Sequence, residues 1–297
     1  MRPTTSAVLL ALAVTLARPA AHAASEPRVV TGFAHPESVL IDGDRRFVSN
    51  IGEKLDPLGH DGDGFLSELA ADGRIVALHA LPIDGDRLDA PKGMAMLAGK
   101  LYVADIDRVV GFDLSTRRQV FEANVPAGGP TLLNDVDATA DALVVTDTLR
   151  GVVWRVDPST GAFTTIADGV PGANGVVWDG PGKQIIVVGL GAKFEGGDLF
   201  EIPAGGPAHK VEKGPHGILD GLALLPDGSM VVSDWRTIDP PTAGALLRLA
   251  PDGSAVGTLD VGRAIHGPAD FSIDTSKNEI WIPATLDGAV VIAPLGR

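Results

Sequence analysis

The chain contains no cysteine, so neither disulfide staples nor thiolate chemistry is available to it. It also lacks any surplus of basic charge. Its 24 Lys and Arg stand against 38 Asp and Glu, a formal charge of −14. No basic patch is visible, which argues against nucleic acid as a partner and suits a protein that binds cations. Past the first residues no segment has 18 uninterrupted apolar residues, so no membrane span is expected after leader removal. The same region shows no convincing 3.6-residue apolar period, which argues against helices. HExxH, GxSxG, P-loop and dinucleotide-binding fingerprints are all missing.

The N-terminus reads MRPTTSAVLLALAVTLARPAAHAAS. Arg2 gives a positive start, Ala7 to Ala17 an apolar core, and Ala21-His22-Ala23 an A-x-A cleavage site. This pattern predicts a signal peptide over residues 1–23 and a mature chain over 24–297, exported to the periplasm or beyond the cell.

Six segments share one phrase: PESVLIDGDRRFVSN, PKGMAMLAGKLYVAD, LNDVDATADALVVTD, ANGVVWDGPGKQIIVVG, LDGLALLPDGSMVVSD and PADFSIDTSKNEIWIPA. Each is a short apolar strand, a turn rich in Gly, Asp or Lys, and a second apolar strand. Their second residues, Glu37, Lys92, Asn134, Asn174, Asp220 and Ala269, are spaced 55, 42, 40, 46 and 49 apart. Two further strand-like runs follow most copies, such as RVVGFDL and QVFEANV. Four strands per 40 to 50 residues is the period of a propeller blade. The expected fold class is therefore all-β, a six-bladed β-propeller. The sixth copy runs short of a strand, and RVVTGF at 28–33 is expected to complete it and close the ring, leaving no long free edge. Asp234-Trp235 stands alone and is not a WD40 signature.

In a propeller the innermost strands line a central channel, so the second residues of the phrases should gather at one end of it. Glu37, Asn134, Asn174 and Asp220 then bring two carboxylates and two carboxamides to one axis. Hard oxygen donors without sulfur favour Ca²⁺ or Mg²⁺ over soft metals. Lys92 is a bulky cation at the same level, placed to contact a substrate oxygen or a rim carboxylate. Three histidines, His35, His216 and His266, precede inner strands. Each is either a base or substrate contact at the channel mouth, or a loop histidine bonded to backbone. His216 is the preferred base and His266 a substrate contact. Asp270 reads equally well as a supporting carboxylate or a turn residue. Asp61 and Asp63 in the loop 50–65 suggest a calcium loop, but the EF-hand spacing fails, and a polar loop or a lid beside the mouth fits better.

The motifs PES at Glu37, LND at Asn134, ANG at Asn174 and LDG at Asp220 together resemble the SMP-30/gluconolactonase family. Its members are six-bladed propellers related to paraoxonase and the diisopropylfluorophosphatase type. The resemblance spans about residues 28–297. It implies that Glu37, Asn174 and Asp220 hold a catalytic divalent metal, with Asn134 on metal or substrate. It implies one Ca²⁺, with Mg²⁺, Mn²⁺ or Zn²⁺ as other candidates. It implies a small-molecule substrate and hydrolysis of a lactone or similar ester, with Asp220 or His216 as base. One departure stands out. The sugar-lactonase branch carries Arg two residues before the Asn of LND, and this chain has Leu132. The rival expectation is a non-catalytic propeller of the NHL-repeat kind that binds a ligand or protein, because fold alone does not choose between them.

Overall fold

The computed structural model describes residues 26–83 and 85–296, all in strands and turns except one 3-10 turn at Thr285–Asp287. The expected signal peptide lies outside the described residues. The strands form six antiparallel sheets, one for each copy of the phrase. The first blade is Pro36–Asp42, Arg45–Asn50, Phe65–Ala70 and Ile75–Leu81. The second is Pro91–Leu97, Lys100–Asp105, Arg108–Asp113 and Arg118–Asn124. The third is Leu133–Ala138, Leu143–Asp147, Val152–Val156 and Phe163–Ala167. The fourth is Ala173–Asp179, Gln184–Gly189 and Gly197–Pro203, edged by two-residue strands at His209–Lys210 and His216–Gly217. The fifth is Leu219–Leu224, Met230–Asp234, Ala245–Leu249 and Ala255–Thr258.

The sixth blade has Ser272–Asp274, Glu279–Ala284 and Ala289–Pro294 from the end of the chain and Arg28–Thr31 from its start. Arg28 lies opposite Ile292 and Thr31 opposite Ala289. The ring is thus closed by the N-terminal strand, as the sequence predicts. That strand is shorter than the six-residue run suggests. At Gly32, with φ of +102°, the backbone turns away and Phe33 becomes buried.

No single core fills the centre. Among the described residues six apolar clusters lie each between neighbouring blades, and a small seventh joins Ile51, Ala90 and Ile106. Between the first and second blades Phe47, Leu66 and Leu81 pack on Met94, Leu101 and Phe112. Each fully buried Leu or Phe of this kind contributes about 1.5–3 kcal/mol. The seam between sixth and first blades has a polar addition. Arg46, 1% exposed, donates to Asp274 and lies over the Trp281 ring at 5.2 Å. The axis, left free of these clusters, is available to polar side chains.

Candidate metal and substrate site

Every inner strand starts with the same irregularity. In the first blade Pro36 pairs with Asn50 and Val39 with Val48, so three steps on one strand face two on the other. The same extra residue occurs at Pro91/Met94, Leu133/Val136, Ala173/Val176 and Leu219/Leu222. In the sixth blade Pro268 bridges Ala284 and Ser272 pairs with Trp281, again one residue in excess. A bulge leaves a residue outside the ladder and re-aims its side chain. The residues concerned are those at the second and third positions of the phrase.

The bulges are held by side chains of the next strand. Ser49, Thr146 and Ser233 hydroxyls accept from the backbone N–H of Ser38, Asp135 and Gly221 at 2.9, 2.9 and 2.7 Å. The last residue of that strand fixes the incoming loop. Asn50, Asp105, Asp147 and Asp234 accept from the N–H of Ala34, Ala90, Leu132 and Ile218 at 3.0, 2.8, 3.2 and 3.1 Å. Asp234 at the end of LDGLALLPDGSMVVSDW therefore holds the loop that delivers Asp220.

Glu37, Lys92, Asn134, Asn174 and Asp220 are all buried, between 2% and 7% exposed. Glu37, Lys92 and Asn134 line a cavity of about 300 Å³. Asp220 joins this wall through Trp235, a lining residue whose indole N–H donates to Asp220 Oδ2 at 2.7 Å. Trp235 was not foreseen as part of the site, and its place directly after the clamp residue Asp234 was the available signal. Among the described residues four side-chain oxygens are buried without a hydrogen-bond partner, and three of them belong to this set: Glu37 Oε2, Asn174 Oδ1 and Asp220 Oδ1. The fourth, Glu279 Oε2, sits on the sixth blade on a carboxylate already paired with Arg28.

The charges are crowded. Burial, then neighbouring Asp220, raises the Glu37 carboxyl well above its usual value. Burial also raises Asp220 to about 7, against the lowering effects of the Trp235 N–H and the Asn174 side chain. Asp270 likewise rises to about 7 by burial, although the Ser38 hydroxyl donates to it at 2.5 Å. Asp135 is raised by burial and by Asp270, and its two oxygens accept from Val176 and Val136 N–H at 2.7 Å each. Asp270 is thus a channel carboxylate bonded to the first blade, not a turn residue. Against these acids Lys92 is the cation, and burial lowers it to about 8 despite the pull of Glu37. Its Nζ donates to the carbonyls of Ala90 and Pro57 at 2.8 and 3.1 Å, rather than to a rim carboxylate.

The histidines sit elsewhere. His35 Nδ1 meets the Gly52 carbonyl at 2.9 Å, the backbone-bonded alternative. His216 Nδ1 meets Asp198 Oδ1 at 3.0 Å, and His266 Nδ1 meets Asp287 Oδ1 at 2.9 Å. His216 is exposed and His266 half-buried, and neither lines the cavity. The loop 50–65 does lie beside the mouth, contributing Leu55 and Pro57 to the wall. Within it Asp63 accepts from the N–H of Glu53 at 2.9 Å, and Asp61 from the N–H of Asp63 at 3.3 Å. Among the described residues no three acidic or histidine side chains cluster as metal ligands, in this loop or elsewhere. The channel set differs in kind, with two carboxylates and two carboxamides.

No protein-family model and no curated protein matches the chain. Solved structures do. Hydrazine synthase of Kuenenia stuttgartiensis is similar at a TM-score of 0.60 and 13% identity, over 93% of this chain and 79% of that one. Virginiamycin B lyase of Staphylococcus aureus, as a catalytically inactive variant with quinupristin, gives 0.57 and 13%, over 90% and 99%. Its selenomethionine form gives 0.55 at the same identity. At 13% identity the likeness reaches the fold alone: the chain is a six-bladed β-propeller.

Proposed function

We propose that the protein is an exported, metal-dependent hydrolase that opens a lactone or similar ester, in the manner of the family its motifs resemble. The observation that carries this reading is the trio of buried, unpartnered oxygens on Glu37, Asn174 and Asp220. A buried polar atom without a partner costs about 1–3 kcal/mol, and three at one end of one channel call for a common partner. Uncharged and anionic oxygens together fit a hard divalent cation such as Ca²⁺. Glu37, Asn174 and Asp220 would hold it, with Asn134 direct or through water. The ion supplies Lewis-acid polarisation of a carbonyl.

The remaining steps belong to the chain's own residues. Lys92, already bonded to two carbonyls, keeps a third N–H for an oxygen of the substrate. Asp220 takes a proton from the attacking water. The water oxygen bonds to the acyl carbon, the alcohol-side C–O bond breaks, and the proton passes to the leaving alkoxide. Asp220 is preferred to His216 as base because it adjoins the cavity wall through Trp235, whereas His216 stands on Asp198. Elemental analysis and hydrolysis assays test this together. Purified Asp220→Ala protein should contain no ion, and parent turnover of a lactone panel should stop with EDTA and return with Ca²⁺. Equal metal content in variant and parent, or turnover indifferent to EDTA, refutes the reading. Tight ligand or protein binding at the channel face without any turnover would favour the non-catalytic propeller instead.

A further inference from the structure

Above its polar floor the cavity changes character. Its walls include Leu55, Leu132, Leu190, Phe194, Trp235 and Ile238, and its only charged lining residues are Glu37 and Lys92, both at strand starts. Three wall residues remain uncovered at the mouth: Leu55 is 41% exposed, Phe194 42% and Ile238 44%. They come from three separate loops, so the apolar rim is assembled by the fold rather than by one stretch of sequence. Its backbone is held in costly conformations. Phe194 has φ of +61° and Arg236, next to Trp235, has +63°. Left-handed backbone at a bulky side chain is uncommon and persists where the surroundings enforce it, as at ligand clamps.

We infer that the ligand is a neutral ester or lactone bearing an aliphatic tail, its carbonyl among Glu37, Lys92 and Asn134 and its tail against Leu55, Phe194 and Ile238. This deepens the hydrolase reading and rests on it for the ester bond. The volume suits such a ligand. A cavity of about 300 Å³ takes about ten atoms of water size, enough for a small ring and several methylenes. A polyhydroxylated lactone of the same size fits badly, because its hydroxyls would lose water against leucine, isoleucine and phenylalanine with no partner in return. Leu132 contributes apolar wall where a hydrogen-bonding Arg would be needed for such a substrate.

Calorimetric titration of the Ca²⁺-loaded protein with 2-alkylcyclopentanones of increasing tail length tests the inference. These ketones present a carbonyl and no ester bond, so binding is read without turnover. Each added methylene should tighten binding about four-fold until the cavity is filled. In Phe194→Ser and Ile238→Ser, both at exposed loop positions, the gain per methylene should shrink to about two-fold or less. Affinity that does not rise with tail length, or equal binding of a polyhydroxylated ketone, overturns it. If the tailed ketones bind as expected but no lactone is hydrolysed, the hydrolase reading falls and the ligand class stands. If lactones are hydrolysed at rates indifferent to tail length, the reverse holds.

Discussion

Asp220 gathers the competing demands of this site in one side chain. One oxygen is held by Trp235 and the other has no partner, while burial lifts the group to about 7. A carboxyl whose folded pKa exceeds its unfolded value of about 4 stabilises the fold fully below that value, and the contribution is lost as pH rises through the folded pKa. Glu37 and Asp270 shift in the same direction. Lys92, lowered to about 8 from an ordinary 10.5, acts only above that window. Metal-free protein should therefore lose melting temperature between pH 5 and pH 8. Ca²⁺ should restore it, and by more at pH 8, where protons no longer compete for the same oxygens. Scanning calorimetry with EDTA or Ca²⁺ at the two pH values checks this, and an equal Ca²⁺ gain at both would count against the ligand set. Trp235→Phe isolates the other half. It leaves a buried carboxylate oxygen unpaired, which costs about 1–3 kcal/mol. It should also weaken Ca²⁺ binding, since Asp220 is no longer held in place, and a Ca²⁺ titration of the variant reads this.

At the scale of the strand, the bulge is the device that turns an ordinary hairpin into a channel wall. It places the third residue of each phrase against the neighbouring inner strand, and three of these are glycines for a steric reason. A Cβ on Gly93 would stand 2.2 Å from Asp135 Oδ1, one on Gly175 2.2 Å from the Asp220 carbonyl, and one on Gly221 2.7 Å from the Asp270 Cα. Gly175→Ala should push the fourth and fifth blades apart. A destabilisation of about 1–3 kcal/mol or more is expected, since the obstacle is backbone. Metal affinity should fall with it, because the carbonyl displaced belongs to Asp220. A Gly175→Ala protein with parental melting and metal binding would show that the strands are not in contact there. The six-fold phrase made these strands and their order readable from sequence, because apolar alternation and turn chemistry are local. The site was legible in part. Glu37, Asn134, Asn174 and Asp220 could be grouped as candidates because they occupy one repeat position. Trp235 and the clamp residues Asn50, Asp105, Asp147 and Asp234 were not, because a place in the repeat does not say what a side chain bonds: Trp235 reaches Asp220, and the clamps take backbone N–H groups just before the inner strand. The directions of the histidine rings were illegible for the same reason. Their spacing from the inner strand fixes where the backbone is, while Asp198 and Asp287, far along the chain, fix where the rings point.

For the whole molecule, stability is distributed among six interblade layers, and the layer between the sixth and first blades joins residues most distant in sequence. Arg46 and Asp274 fasten it, while Arg28 reaches Glu279 at 2.8 Å on the surface within the sixth blade. Removing one partner of a buried pair costs about 3–5 kcal/mol, whereas replacing both by apolar groups is often neutral. Arg46→Ala should therefore lower the denaturation midpoint sharply, and Arg46→Met with Asp274→Leu should recover most of the loss. Similar midpoints for the single and double variants would mean that packing on Trp281, and not the charge, holds the seam. The surface pair should matter far less, at about 0–1 kcal/mol.

The strand Arg28–Thr31 lies antiparallel to Ala289–Pro294, with Arg28 near the end where the last strand stops. The two are a hairpin whose connecting turn is missing. The covalent chain could be cut and rejoined there without moving a strand. A circular permutant in which residues 26–34 follow Gly296 through a short turn should fold to the same ring. Its last blade would then close by a local contact rather than by a meeting of two distant segments, so it should refold faster than the parent at similar stability.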